Sequence, residues 1–379
     1  MALVLDADQA MIRDTAREFC AARAPVSQLR ALRDARDDLG YAAELWREMA
    51  DLGWPGIVIP EERGGTGFGW QALGVILEET GRTLTASPLF ATVMLGAAAV
   101  LRGGSEAQQA ELLPGIAAGE RTLALALEET PHHAPHGAAL TARPDGGGWI
   151  LDGEKCFVLD GHSADLIVVV ARTAGRPGDR DGLTLFLVPG DAPGLERTRT
   201  IMADARNAAN LRFEGVPVRP EAMLGIEGGG ADVLDPVLDG GRIGLAAEML
   251  GTATEAFERT VAYLKERRQF GQLIGSFQGL KHRAADVFTE LQLSRSVVMD
   301  ALTALDEGRE DVPQLAALAK ARMGETANLV SREAIQMHGG IGMTDEYEIG
   351  FFLKRARVQE AALGGERFHR DRYAALAGY

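Results

Sequence analysis

The sequence predicts an α+β multidomain chain with an all-α N-terminal domain, a middle antiparallel β domain and a C-terminal four-helix bundle. Two observations predict this class. The 379 residues are too many for a single compact core. The hydrophobic periodicity changes from helical to strand-like and back again. We place the domain boundaries at these changes, giving residues 1–121, 122–228 and 229–379.

The first region has the apolar spacing of amphipathic helices. Side chains at spacings of three and four mark one helical face, formed by Met11, Thr15, Phe19 and Ala22. Residues 53–55 and 60–67 are rich in Gly and Pro and predict loops between the helices.

The middle region contains short β-branched and aromatic runs separated by Gly, Pro and Asp clusters, which predicts a small antiparallel sandwich or barrel. We assign strands to 149–151, 157–159, 166–171, 183–188 and 211–213. No GxGxxG motif joins a strand to a helix there, so a Rossmann domain is not supported.

The last region returns to helical periodicity. Three long amphipathic stretches and a fourth, shorter one are joined by short loops, which favours an antiparallel bundle. They span 235–265, 278–305, 313–337 and about 349–363.

Composition limits the partners and the compartment. The formal net charge of −15 repels nucleic acids and anionic lipids, so neither is expected as a partner. The isolated thiols of Cys20 and Cys156 match no metal or redox spacing and are expected to be core residues in a reducing compartment. The longest apolar stretch, 89–101, is too short to cross a bilayer, and no signal peptide is recognised. We therefore expect a cytoplasmic protein.

Two segments are candidates for ligand binding. Residues 263–271 end a helix with several cations and a glycine, which suits either phosphate binding or simple neutralisation of the helix dipole with a glycine C-cap. Residues 336–347 contain three glycines within four positions, which lets a backbone approach a ligand closely but is also common in turns after helices.

Together these segments resemble the signatures of the acyl-CoA dehydrogenase family. Residues 266–278 read ERRQFGQLIGSFQ, similar to ERxxFG-xxI-xxFQ, and residues 336–342 read QMHGGIG, similar to QxxGGxG. The loops at 54–56 and 60–67 also resemble that family's first domain. The resemblance covers essentially the whole chain and implies FAD as cofactor and α,β-dehydrogenation of an acyl-CoA thioester.

The resemblance assigns cofactor contacts across a subunit interface. Arg267 would reach the FAD pyrophosphate of a neighbouring subunit, a task that suits the planar guanidinium. Phe270 would pack on the cofactor and Gln278 would hydrogen-bond near it. The adenosine end would be lined by Gln336, Gly339 and Gly340.

The proton-abstracting glutamate of the family is missing. Its position is occupied by Leu363, and the alternative position used by some members is Gly241. Arg242 matches the family's arginine near the CoA and acyl pocket, although a solvated helix charge is the alternative. Glu360, one turn before Leu363, is a weak candidate for a relocated base, and Glu248 is expected to be a surface or packing carboxylate.

The flavin-facing part of the β domain also departs from the family pattern. Phe157 keeps an aromatic face, but Leu159 replaces the threonine whose hydroxyl contacts the flavin. His132, His133 and His136 lie in a Pro-rich loop, for which we expect a solvated loop and no metal site.

Three functional interpretations follow from the resemblance. The chain is similar to base-lacking small subunits that share FAD sites with a competent partner in heteromeric acyl-CoA dehydrogenases. It could instead be a self-sufficient homo-oligomeric dehydrogenase that uses Glu360. A third alternative is a flavin-dependent monooxygenase or oxidase with His369 as an acid/base residue, although an exposed histidine is the simpler expectation. The family's usual electron acceptor is an electron-transfer flavoprotein.

Overall fold

The computed structural model describes residues 4–379, so the first three residues of the predicted N-terminal domain lie outside the described residues. The order of helical, β and helical regions is confirmed. By compactness the chain forms two units. One contains residues up to 31, 70–85 and 242–379, and the other contains 32–69 and 86–241.

α-Helices are the commonest secondary structure of the described residues. They are α1 (Ala7–Arg23), α2 (Val26–Ala35), α3 (Ala43–Asp51), α4 (Trp70–Arg82), α5 (Ala98–Gly103), α6 (Glu106–Ala117), α7 (Gly230–Glu266), α8 (Gln278–Glu307), α9 (Val312–His338), α10 (Ile349–Ala361) and α11 (Glu366–Leu376). A π-helical segment, Phe90–Ala97, precedes α5. Within residues 4–379 no helix is both long and apolar enough to span a membrane.

The first unit is a helical bundle centred on α9. This helix packs against α8, α10 and α11, while α4 packs against α1 and α8. Small side chains dominate the buried face of α9, including Ala316, Ala319 and Ala327, which lets the neighbouring helices approach closely. Gly74 likewise allows α4 to pack closely against α8, since a Cβ there would lie 2.5 Å from the side chain of Leu302.

The second unit is built on one sheet. Its strands are β1 (Leu123–Ala126), β2 (Thr141–Asp145), β3 (Gly148–Leu159), β4 (Leu166–Arg172), β5 (Leu183–Pro189), β6 (Leu195–Ile201), β7 (Asn207–Val218) and β8 (Met223–Leu224). The strand order is β6-β7-β3-β2-β4-β5-β8, with β1 paired to β4. The expectation of a purely antiparallel sheet was wrong at two places, because β1 and β2 both pair with β4 in parallel.

Several element boundaries differ from the prediction. The two short strands expected at 149–151 and 157–159 are one strand, β3, whose pairing with β7 is interrupted between Leu151 and Gly153 and between Lys155 and Val158. These irregularities are β-bulges, which broke the apolar alternation on which the prediction relied. The fourth predicted helix ends at Ala361, before the turn that carries Leu363, and α11 was not predicted.

Candidate cofactor and substrate site

A two-stranded hairpin follows the end of α7 and carries the first signature. Its strands are β9 (Arg268–Gln269) and β10 (Gln272–Leu273), joined by Phe270 and Gly271 with φ of 53° and 79°. Two consecutive left-handed residues are the geometry of a type I′ turn, which glycine adopts freely and phenylalanine does not. The Phe270 residue is 89% exposed. The hairpin therefore holds an aromatic ring outside the bundle in a costly backbone conformation.

The glycine of this segment is not a helix cap. The α7 helix ends at Glu266, and Gly271 lies beyond it at the hairpin turn. The C-cap alternative for this glycine is therefore wrong. Lys265 remains in the last turn, where a cation suits the negative end of the helix.

The second signature lies against the end of α7. Tyr263 stacks on His338 with ring centroids 4.4 Å apart, and its hydroxyl donates to the carbonyl of His338 at 3.4 Å. The ring of His338 is also 5.0 Å from that of Tyr347 and donates from Nδ1 to the Ala334 carbonyl at 2.7 Å. Burial lowers the pKa of His338, which favours a neutral ring. Sequence reasoning missed this aromatic cluster, which joins the two signatures.

The six residues that the two signatures assign to the cofactor are all exposed, namely Arg267, Phe270, Gln278, Gln336, Gly339 and Gly340. The other two assigned residues, Phe157 and Leu159, lie in the β unit, where Leu159 is only partly exposed. Within the described chain Arg267 has no ion-pair partner. A Cβ added to Gly339 or Gly340 would meet nothing within 4 Å, so there is room beside the turn. An unpaired guanidinium, an exposed aromatic ring and an open glycine turn fit the phosphates and rings of FAD.

The turn that carries Leu363, where the resemblance led us to expect the family base, is contacted by the buried side chains of Arg242 and His369. Leu363 has a φ of 56°, and its carbonyl accepts from Nε of Arg242 at 3.4 Å and from Nε2 of His369 at 2.9 Å. Arg242 is 1% exposed, so the alternative of a solvated charge was wrong. His369 has no exposed surface, which also contradicts the expected exposed histidine. A leucine kept in a strained backbone conformation by buried polar side chains indicates that this turn has a functional role.

The two nearby carboxylates have structural contacts. Oε1 of Glu360 accepts from the backbone N–H of Glu366 at 3.1 Å, at the first turn of α11. A carboxylate there stabilises the positive end of the helix. Glu248 is buried and forms an ion pair with Arg355 at 3.3 Å, so it is a packing carboxylate.

The β unit presents the second aromatic candidate at a bulge. Phe157 has a φ of 52° and is 42% exposed, and its N–H donates to Oδ1 of Asn210 at 3.4 Å. Leu159 pairs with Ala208 on β7. Cys156, beside Phe157, is only half-buried, so the expectation that it lies in the core was wrong.

The other thiol behaves as expected. Cys20 is buried, and desolvation raises its pKa to about 12. A thiol with so high a pKa is protonated at neutral pH and unreactive, as suits a packing residue.

The histidine loop is only partly solvated. His132 is exposed, but His133 contacts the Glu128 carboxylate and Nε2 of His136 lies 2.8 Å from Asp235. The expectation of a solvated loop was therefore wrong for two of the three histidines, because acidic neighbours bind them. Between residues 4 and 379 no group of three or more His, Cys, Asp or Glu side chains is arranged to hold a metal ion.

Comparison with known proteins gives consistent matches along the chain. Family models described as the N-terminal, middle and C-terminal domains of acyl-CoA dehydrogenase match residues 6–120, 126–216 and 228–377. A probable acyl-CoA dehydrogenase of Bacillus subtilis, YngJ, is 31% identical, covering 97% of each chain.

Two solved structures have the same fold. The steroid ACAD Tcur3481-Tcur3483 is 35% identical with a TM-score of 0.88, covering 98% of this chain and 97% of the other. The ChsE4-ChsE5 complex of Mycobacterium tuberculosis is 25% identical with a TM-score of 0.88, covering 100% of both chains.

Proposed function

Since the chain belongs to the acyl-CoA dehydrogenase family, we propose that it takes part in the α,β-dehydrogenation of an acyl-CoA thioester as an FAD-sharing subunit that relies on a partner for the catalytic carboxylate. The observation that carries the proposal is Leu363, an aliphatic side chain on a turn held in place by Arg242 and His369. The turn is kept, whereas the group that would take a proton is absent.

The reaction explains why this absence matters. The α-hydrogen of the thioester must leave as a proton while the β-hydrogen leaves as hydride, which FAD would accept when bound. Proton removal from carbon needs a base poised near the working pH, usually a carboxylate whose pKa is raised by burial. Leu363 cannot accept a proton, and the other family position is Gly241. At neither family position does the chain therefore carry a side chain that can remove the α-proton.

The exposed cofactor residues support sharing with another subunit. Phe270 is exposed at the turn of the β9–β10 hairpin, which Arg267 precedes, and a Cβ at Gly339 or Gly340 would meet nothing within 4 Å. An arginine left without a carboxylate partner and an aromatic ring left in solvent are suited to a ligand held between chains. The solved relatives include one named as a complex of two proteins and one named as a steroid ACAD with two components. We propose a related subunit as the partner, an acyl-CoA thioester as the substrate and an electron-transfer flavoprotein as the acceptor.

The alternatives have less support. A relocated base at Glu360 would have to leave its contact with the N-terminus of α11. An acid/base role for His369 would require a buried ring that is already bound to the Leu363 carbonyl.

The test is to purify the chain alone and together with a related subunit that retains the glutamate. We expect dye-linked acyl-CoA oxidation only from the complex, and less than stoichiometric FAD in the single chain. Leu363→Glu in the complex tests whether the turn can seat a second base, and Glu360→Gln should leave turnover unchanged. Stoichiometric FAD and turnover by the single chain would refute the proposal. Oxygen consumption by reduced flavin in the single chain would instead favour an oxidase.

A further inference from the structure

A buried ammonium group lies beneath the turn that carries Leu363. Lys320 on α9 has no exposed surface, and its Nζ donates to the carbonyls of Glu360 at 2.8 Å and Gly364 at 2.9 Å. These carbonyls belong to the end of α10 and to the turn that follows it. A buried cation destabilises the folded chain unless its N–H groups are hydrogen-bonded, as they are here to two backbone carbonyls.

Two further buried side chains, from α7 and α11, bind the same turn. The carbonyl of Leu363, between the two that Lys320 binds, accepts from Arg242 and His369. Three buried side chains from three different helices thus fix three carbonyls within five residues. The hydrogen bonds hold Leu363 in a left-handed conformation that a leucine would otherwise leave.

We propose that Lys320 is a positioning residue for the substrate end of the site: by binding the Glu360 and Gly364 carbonyls it fixes the turn, and through the turn it fixes both the Leu363 side chain and the Arg242 guanidinium. This rests on the proposed function, because it assumes that a thioester binds beside that turn. Arg242 donates from Nε to the Leu363 carbonyl, so a turn that shifts removes one of the contacts that orient the guanidinium.

Lys320 does not act as the missing base. Desolvation lowers its pKa to about 7, with opposing effects from the Glu360 carboxylate, which raises it, and from Arg242, which lowers it further. A neutral amine would in principle be basic enough. However, its Nζ is enclosed and directed at two carbonyls, so no substrate atom can reach it without opening the turn.

The experiment compares Lys320→Met with Thr326→Val in the full-length chain. Thr326 is a buried residue of the same helix, and its hydroxyl lies 2.8 Å from that of Ser294, away from the turn. Hydrogen exchange is followed in peptides covering residues 360–366, and binding of butyryl-CoA is measured by calorimetry. Thermal midpoints of both variants are recorded, so that a general loss of stability can be subtracted.

We expect Lys320→Met to speed exchange of the turn and to raise the butyryl-CoA dissociation constant, each on the order of tenfold, as for the loss of a buried hydrogen bond. Thr326→Val should change neither at comparable stability. Unchanged exchange in Lys320→Met would overturn the proposal, as would a loosened turn with unaltered butyryl-CoA binding.

The experiment still tests the proposal if the wild type does not bind butyryl-CoA or if Lys320→Met does not fold. If the wild-type chain bound no butyryl-CoA at all, the proposed function would be at fault, and the exchange measurement alone would decide the role of Lys320 at the turn. If Lys320→Met did not fold, Lys320→Gln would replace it, since the amide keeps one donor. Faster exchange confined to residues 360–366 would support the proposal, and unchanged exchange there would overturn it.

Discussion

The buried ammonium of Lys320 makes the stability of the chain depend on pH in a way that one substitution should abolish. Its pKa of about 7 in the folded chain lies below the ordinary lysine value of 10.5. Between these two values the unfolded chain binds one more proton than the folded chain, so stability rises with pH. Below the folded pKa both states are protonated, and the full cost of burying the charge remains.

The magnitude follows from one proton. The slope approaches about 1.4 kcal/mol per pH unit, and the gain between pH 7 and 9 is about 2 kcal/mol after allowing for partial titration near pH 7. Lys320→Met removes this contribution. It also removes two hydrogen bonds to buried carbonyls, which subtracts an amount that does not vary with pH, about 1–3 kcal/mol for each carbonyl left unsatisfied.

The assay is urea unfolding of the wild type and Lys320→Met at pH 6, 7, 8 and 9, at one protein concentration. The difference in free energy of unfolding, wild type minus variant, should grow with pH above 7. Thr326→Val should give a difference that is flat across the same range. A flat or falling difference for Lys320→Met would refute the placement of a desolvated ammonium beneath the turn.

Two other substitutions test the exposed hairpin and the buried ion pair. Phe270→Ala should leave the thermal midpoint unchanged but weaken FAD retention after gel filtration about two- to tenfold, as expected for loss of an aromatic contact of ~0.5–1.5 kcal/mol. Tyr379→Ala, also highly exposed, should change neither. A lower midpoint with full FAD retention would contradict this role. Glu248→Gln should lower the free energy of unfolding by about 3–5 kcal/mol because it removes the carboxylate that pairs with the buried Arg355 guanidinium, and adding Arg355→Met should recover most of that loss in urea titrations. An additive double variant would show that the pair does not interact.

The fold could be predicted from the sequence because its elements differ in hydrophobic period. Helices α8 and α9 were predicted to within two residues at each end because long amphipathic stretches are easily recognised, whereas α7 begins at Gly230, five residues before the predicted start. Strand β1 was missed because its short apolar run of four buried residues, LALA, has no alternation. Edge strand β6 was missed because it reads LERTRTI, which is polar enough to resemble a loop.

Only the candidate-site residues that lie within a sequence motif could be predicted. The signatures identified Arg267, Phe270 and the two glycines, and the structure places them around the end of α7. The sequence could not indicate which polar side chains near the site are buried. A solvated charge was the alternative for Arg242 and the simpler expectation for His369, yet both side chains are buried, because their environment is built from helices distant in the chain.

Lys320 had no signal at all in the sequence. Its importance depends on the carbonyls of two residues some forty positions away. Only the folded bundle brings these groups together.

The most direct test of the proposed absence of a catalytic base is hydrogen exchange at the substrate carbon. The single chain, loaded with FAD and an acyl-CoA, is incubated in deuterated water, and deuterium at the α-carbon is measured by mass spectrometry. We expect no exchange above the buffer rate for the wild type, and measurable exchange once Leu363→Glu restores a carboxylate to the turn. Exchange catalysed by the wild-type chain, and lost on Glu360→Gln, would contradict the account.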